Sequence, residues 1–398
     1  MKKLMTFAAM AVLILAAGCA KIESKSTTND VQHAIGFSNY APKSLTKAGD
    51  TYAKSTTLLN GKVFDVFAYA TTNGTPFATN PSTALGTKFM EAVDVTYGTG
   101  GDSDATKNSY SPVRYWPSGD SPDWLTFWAY YPVQSGNGII YTAPDGDNGL
   151  GSYAFTAAAS AANMVDFMVS NVVNDKIYGT ATGTHIAVNG VVPLVFNHQL
   201  TKVQFKFKTT SLDASTTVKL LDAKLYNIKT TGTLTTAYNA SATPNTTTTW
   251  GSQGTPSTYD VTFDSNNPES GTSSSWITLG TDALPAAVDA ENPEGDIFLM
   301  VPQAMVDKTT DATNAQYLEV TWEVTTGTVT THNSQKLYFK NDLKNGDDPS
   351  ATSYAAASID WAKNNFITYI ITIGPKPIQF TATVENWGTE QFGYFNVQ

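Results

Sequence analysis

Four histidines, one cysteine and a few paired acids carry most of the capacity for chemistry in this sequence. His33, His185, His198 and His332 stand far apart, and none lies in a His-Glu-x-x-His spacing that would set two imidazoles on one face of a helix. His198 follows an apolar strand pattern, so a neutral, hydrogen-bonded imidazole at a sandwich edge is the expected role, with a ligand or catalytic role as the alternative. Asp102 with Asp104, and Asp145 with Asp147 ahead of Asn148 and Gly149, could hold calcium, yet neither pair has the full ligand loop closed by a glutamate, and a solvated turn is the competing reading. There is no Gly-x-Ser-x-Gly elbow, no phosphate-cradling glycine loop with its lysine and no cysteine nucleophile. Paired carboxylates for glycoside hydrolysis would leave no local spacing to find. The expectation is a protein that is no enzyme and needs no cofactor or metal.

The cysteine has a different chemistry. Cys19 is the only one in the chain, which excludes a disulfide framework and a cysteine-based metal site. Lys2 and Lys3 form a basic start, Leu4 to Leu15 is apolar, and Leu15-Ala16-Ala17-Gly18 sets small residues directly before Cys19. This resembles a bacterial lipoprotein signal. It implies that residues 1–18 are removed and that Cys19 carries acyl chains of the palmitate kind, each buried methylene contributing about 0.8 kcal/mol to anchoring. A plain secretory signal cut near Ala17 is the alternative. Either way the apolar stretch is too short for a permanent span.

Removing Lys2 and Lys3 with that leader leaves 22 basic against 34 acidic side chains, a net charge of −12. Such a surface repels nucleic acid and has no electrostatic attraction to anionic lipid. Only 15% of the 398 residues are charged, and the abundance of Thr, Ser, Asn and Gly suits an extracellular β protein better than a helical enzyme.

The elements that would position these groups are strands. Val203, Phe205 and Phe207 alternate with Lys202, Gln204, Lys206 and Lys208, the period expected when one sheet face meets a core and the other water. Val192, Leu194 and Phe196 set a second apolar face before it, and Val191 to Lys208 reads as the entry into a second sandwich. Residues 19–30 are polar and aperiodic, a tether. Strands are expected at His33 to Tyr40, Lys62 to Ala70, Leu125 to Tyr131, Asp166 to Ser170, Lys219 to Ile228, Trp276 to Leu279, Asp296 to Val301, Tyr317 to Val324, Phe366 to Gly374 and Ile378 to Trp387. The run Leu125 to Tyr131 is apolar on both faces and should be covered on both sides. The aromatics between Tyr115 and Pro132 are expected to pack a core, with a sugar-binding platform as the alternative. Ala154 to Asn163 is expected to hold a short helix, Gly232 a turn, Asn239 to Thr258 a low-complexity loop, and Ala351 to Asn365 a loop or short helix.

Several of these segments, in order, resemble landmarks of the Bacteroidetes fimbrillin family: Val63 to Ala70, Tyr115-Trp116-Pro117, Leu125 to Pro132, Phe196-x-His198 with its following strand, Leu299 to Gln303, and Val384 to Trp387. The resemblance implies an all-β chain of two antiparallel Greek-key, transthyretin-like β-sandwich domains, residues 31–190 and 191–398, forming a fimbrial subunit at the outer membrane. It also implies that the first strand, His33 to Tyr40, is released by a cut between Lys47 and Ala48, and that a C-terminal segment of a neighbouring subunit fills the groove. Here that segment would present Ile378, Phe380, Ala382 and Val384. The one arginine, Arg114, lies outside the loop, so the cut requires a protease that accepts lysine. The expected partners are other fimbrial subunits, the outer membrane through the lipid on Cys19, and a host or glycan ligand. A membrane-retained anchor or accessory subunit, or a monomeric glycan-binding adhesin, is the alternative.

Overall fold

The computed structural model describes residues 32–40, 61–77, 85–98, 108–134, 136–144, 149–210, 212–254, 256–261, 277–281, 284–285, 297–343, 360–374 and 379–386. In chain order the strands are β1 (Gly36–Tyr40), β2 (Val63–Thr71), β3 (Thr87–Thr96), β4 (Trp124–Tyr131), β5 (Ile139–Thr142), β6 (Ser152–Thr156), β7 (Met168–Ser170), β8 (Val173–Gly179), β9 (Ile186–Val188), β10 (Val191–His198) and β11 (Thr201–Thr209). They continue with β12 (Thr216–Lys229), β13 (Thr231–Tyr238), β14 (Thr246–Gly251), β15 (Pro256–Asp260), β16 (Ile277–Thr278), β17 (Leu284–Pro285), β18 (Ile297–Met300), β19 (Tyr317–Thr326), β20 (Val329–Tyr338), β21 (Asn365–Ile373) and β22 (Gln379–Asn386). The protein is all-β: among the described residues the only helical element is a single 3₁₀ turn at Ala161–Asn163.

The first sheet runs β1-β10-β7-β4-β2-β3, with β8 also on β4 and β9 on β8. It is apolar on both faces because it has a core on each side. Phe64, Val66 and Ala68 of β2 and Leu125, Phe127 and Ala129 of β4 pack into one cluster with Met168, Val192, Leu194 and Phe196. The alternate residues Phe67, Tyr69, Trp128 and Tyr130 pack into a second cluster that continues through Phe205, Leu220, Val320 and Ile367. The expectation for Leu125 to Tyr131 thus holds, and most of its aromatics are core: Phe127, Trp128 and Tyr130 are wholly buried, while Tyr115 stays 44% exposed.

Sheet membership changes between β10 and β11. β10 lies in the first sheet, parallel to β1, whereas β11 runs parallel to β21 in a sheet ordered β17-β11-β21-β22, with β18 also on β11. A third sheet is ordered β15-β12-β19-β20, with β16 on β12, and a fourth, β14-β13-β6-β5, draws strands from both sides of the 190/191 boundary. The stretch Val191 to Lys208 therefore belongs to two sheets.

Several sequence expectations are corrected by pairing that local pattern does not reveal. Ala154 to Asn163 is not a helix, since Ser152–Thr156 pairs with Thr231–Thr235 and leaves only the 3₁₀ turn. Gly232 lies inside β13 opposite Phe155, with Trp250 side-chain carbon 3.0 Å from where a Cβ would stand. The threonine run is β14, paired residue by residue with β13, so polarity alone did not make it a loop. Lys202 and Gln204 do not face water. Both are buried in an interior strand, where side chains of the neighbouring strands lie over this face: the Lys202 ammonium sits 4.3 Å over the ring of Phe366, its partner on β21. The segment 351–359, and both acidic pairs proposed for calcium, fall outside the described residues.

Candidate functional site

β1 is an edge strand held almost entirely by contacts distant in sequence. Its residues pair in parallel with β10, from Gly36 opposite Val191 to Tyr40 opposite Val195. The Ile35 amide donates to the Arg114 carbonyl (2.9 Å), the Gly36 amide to the Gly190 carbonyl (3.0 Å), and the Trp116 amide to the His33 carbonyl (2.9 Å). The segment after β3 grips the other side: the Tyr110 hydroxyl donates to the Ile35 carbonyl at 2.9 Å, and the Asn108 amide group donates to the Phe37 carbonyl. Ile35 and Phe37 are each 1% exposed. The Phe37 ring meets Phe64, Phe127 and Tyr110 edge-on with centroids 6.5, 6.1 and 5.8 Å away. Burying two such side chains contributes about 1.5–3 kcal/mol each.

The turn into β10 is shaped for this fit. Gly190 has φ +75°, and a Cβ there would stand 2.9 Å from Trp116 Nε1 and 3.1 Å from the Ala34 carbonyl oxygen. The Trp116 indole donates back to the Gly190 carbonyl at 3.1 Å. Without β1, the floor would be Phe64, Phe127, Phe196, Val192 and Leu194 beside the unpaired edge of β10. Such a slot is a template for an incoming strand.

At the other end of the chain, β22 forms the edge of its sheet, antiparallel to β21. Phe380 stands opposite Ile371, Ala382 opposite Tyr369 and Val384 opposite Ile367. Ile378, Cys19, Lys47 and Ala48 lie outside the described residues.

Each histidine has its own surroundings, and no group of three or more metal-ligating side chains occurs among the described residues. His33 stacks on Tyr178 with centroids 3.6 Å apart, His185 donates from Nδ1 to the Asp175 backbone carbonyl at 2.9 Å, and His332 meets Glu323 at 3.0 Å. His198 has the structural place expected of it: Nδ1 is 2.6 Å from Asp166 Oδ2, both side chains buried. Replacing His198 by leucine would leave Asp166 buried without its partner, at an expected cost of about 3–5 kcal/mol. The double variant His198→Leu/Asp166→Leu should recover much of that loss. Urea unfolding of the two variants checks this, and a single variant no less stable than the double would show that the pair is not coupled.

The residue that sequence reading missed is Asp65, the one acid inside the apolar strand VFDVFAYAT. It is 3% exposed and stands opposite Asp94 of β3 on one side and Tyr130 of β4 on the other. Burial, and after it the Asp94 carboxyl, push the Asp65 acid up from 3.8 to about 7, while the Tyr130 hydroxyl pulls less strongly the other way. These groups border a cleft of about 650 Å³, walled on its far side by Ile139 and Ile140 of β5 and Ala154 and Thr156 of β6.

The chain is thus an all-β protein in which an edge strand occupies a slot in a doubly covered sheet. The fold is shared with a fimbrial protein from Bacteroides vulgatus, 18% identical over 89% of this chain and 99% of that one, with a TM-score of 0.56. A tip fimbrial protein from Porphyromonas gingivalis (9% identity, 89% and 100% covered, TM-score 0.38) and a fimbrial assembly protein from Parabacteroides distasonis (10%, 92% and 99%, 0.39) are more distant matches. A comparison with curated protein sequences gave no match. The family model described as fimbrillin-like matches residues 51–387, and the chain belongs to that family.

Proposed function

We propose that this protein is a structural subunit of a cell-surface fimbria, exported as a lipoprotein on Cys19 and matured by a cut between Lys47 and Ala48 that releases β1. Another subunit's strand then enters the vacated slot. The observation that carries this reading is the seating of β1: a short parallel strand at a sheet edge, with Ile35 and Phe37 filling an apolar slot that another strand could fill in the same way. Backbone hydrogen bonds to β10 would supply affinity and the pockets for alternate side chains would supply specificity. The donated strand is the segment of Ile378, Phe380, Ala382 and Val384, which reaches its own sheet only through β21. Residues 19–30 tether the body to the outer membrane, and residues 31–190 and 191–398 are the two sandwich domains of the assembled subunit. Adhesion to a host or glycan ligand would follow from loops at the fimbrial surface.

A membrane-retained anchor or accessory subunit is the second reading. It is favoured by the pairing of β22 with β21 from Asn365–Asn386 to Thr372–Gln379, which uses the strand within its own chain.

Intact mass and N-terminal sequencing of protein taken from the surface of producing cells separates the two. The fimbrial reading expects a chain starting at Ala48, and Lys47→Gln should block that start and the appearance of polymers together. A chain that keeps acylated Cys19 while fimbriae form normally would overturn the maturation step.

A further inference from the structure

The lining of the cleft beside Asp65 shares no residue with the β1 slot, and what it could hold is independent of the fimbrial reading. We propose that it binds an organic ammonium group, from a small amine or a lysine side chain, with the nitrogen on Asp65, Asp94 and Tyr130 and the hydrocarbon stem along Val133, Ile139 and Ile140.

Asp65 and Asp94 are two like charges directly opposite one another on neighbouring strands, an arrangement that destabilises a sheet unless something compensates it. Neither acid has an ion-pair partner among the described residues, so the described part of the chain supplies no cation. The Tyr130 hydroxyl, on a side chain that is wholly buried and lines the cleft, has no hydrogen-bond partner, and neither has Asp65 Oδ1. The Tyr130 hydroxyl and the Gln134 backbone both favour the Asp65 carboxylate, though less than burial and Asp94 oppose it. Three adjacent strands, β3, β2 and β4, therefore present oxygens in one row. An ammonium carries three donors and no acceptor, the complement of that row.

The rest of the cleft selects an organic cation over a metal ion. Calcium takes about six to eight oxygens, many of them carboxylate, and no cluster of three ligating side chains occurs among the described residues. The volume of about 650 Å³ lies in the range of small-molecule sites, and Val133, Ile139 and Ile140 give it apolar walls. Ile140 is 63% exposed, so the wall is reachable from solvent. The β2–β3 pairing shifts register between Val66 and Tyr69, and Ala92, at φ 44°, lines the cleft two residues from Asp94. The other titratable groups facing Asp65 are the phenols of Tyr130 and Tyr153, both raised chiefly by burial and further by Asp65, with Tyr141 stacked 5.8 Å from Tyr130; none brings a positive charge.

Titration calorimetry at pH 8 on the full exported chain tests this with n-butylammonium, n-butanol, calcium and N-acetyl-lysine methylamide as separate probes. Butylammonium should bind saturably and butanol should not. Asp65→Asn and Asp94→Asn should each weaken butylammonium by about tenfold or more, the loss expected for a charge-assisted hydrogen bond, and Tyr130→Phe by less. Asp94 is exposed, so its variant keeps the test valid even where Asp65→Asn folds poorly. Tighter binding of the lysine derivative would assign the site to a partner's lysine, and tighter binding of butylammonium to a free amine. Equal binding of butanol and butylammonium, affinity unchanged in both acid variants, or calcium displacing butylammonium would overturn the proposal.

Discussion

Replacing Phe37 by alanine is expected to remove about 3–5 kcal/mol from the seating of β1, the usual cost of deleting a fully buried phenylalanine. The ring is 1% exposed and is the joint between both strands of the slot floor: it touches Phe64 on β2 and Phe127 on β4 at once. Neither contact can be replaced by a neighbour, because Ile35 occupies the next inward position and Ser38 points the other way along the strand. Since β1 is an edge strand, much of the loss should appear as local opening rather than as a change in the whole unfolding transition. Hydrogen exchange of the Val192 and Leu194 amides of β10, which alternate with Pro193 and with the Val195 amide held by Asn171, should accelerate far more than exchange in β12 or β19, which lie in another sheet. Tyr115→Ala, next to the same slot but 44% exposed, should change little. If Phe37→Ala leaves β10 exchange as it was, the strand is held by its backbone alone, and a donor strand would need no matching side chains.

The same slot shows what was legible in the sequence. Ile35 and Phe37 alternate in a short stretch, and that alternation marks the first strand, which pairs from Gly36 to Tyr40, because both side chains are buried. The run Leu125 to Tyr131 was legible for the opposite reason: both faces are buried, so nearly every residue is apolar or aromatic, and the exception, Thr126, accepts from the Asp175 amide. Where partner strands rather than side chains decide, the signal vanishes. β14 is Thr-rich and half exposed, and only pairing with β13 makes it a strand. β20, with most of its residues exposed, has no apolar face to read and was not expected at all. Lys202 misled in another way, since its alternation marks a water-facing side that the neighbouring strands and the Phe366 ring cover. The partner of β1 could not be read either, because a parallel pairing between Gly36 and Val191 spans a sequence separation that no local pattern encodes. Asp65 carried a usable signal: one acid within a strand otherwise apolar on both faces has to be compensated by something.

That compensation should be visible as a pH dependence of stability. With its acid raised to about 7 in the folded chain and near 3.8 when unfolded, Asp65 keeps its proton on folding between those limits and loses it in the unfolded state. The folded state then binds more protons than the unfolded one, so this contribution is full below about pH 4, falls as pH rises towards 7, and is gone above it. The slope for one proton is at most about 1.4 kcal/mol per pH unit, which bounds the whole effect near 4 kcal/mol, reduced as water entering the cleft solvates the carboxylate. Other acids titrate across the same range, so the quantity to measure is the difference between the wild type and Asp65→Asn in urea unfolding from pH 4 to pH 8. Asparagine cannot ionise, and the variant should gain on the wild type steadily through that window and hold its advantage above pH 7. Asp94→Asn should show part of the same gain, because Asp94 is the second cause of the shift after burial. An ammonium ligand added at pH 8 should restore stability to the wild type but not to Asp65→Asn, which ties the pH slope to the charge in the cleft. If the two proteins run parallel from pH 4 to pH 8, Asp65 ionises in the fold as it does in water, and the cleft is better solvated than its walls imply.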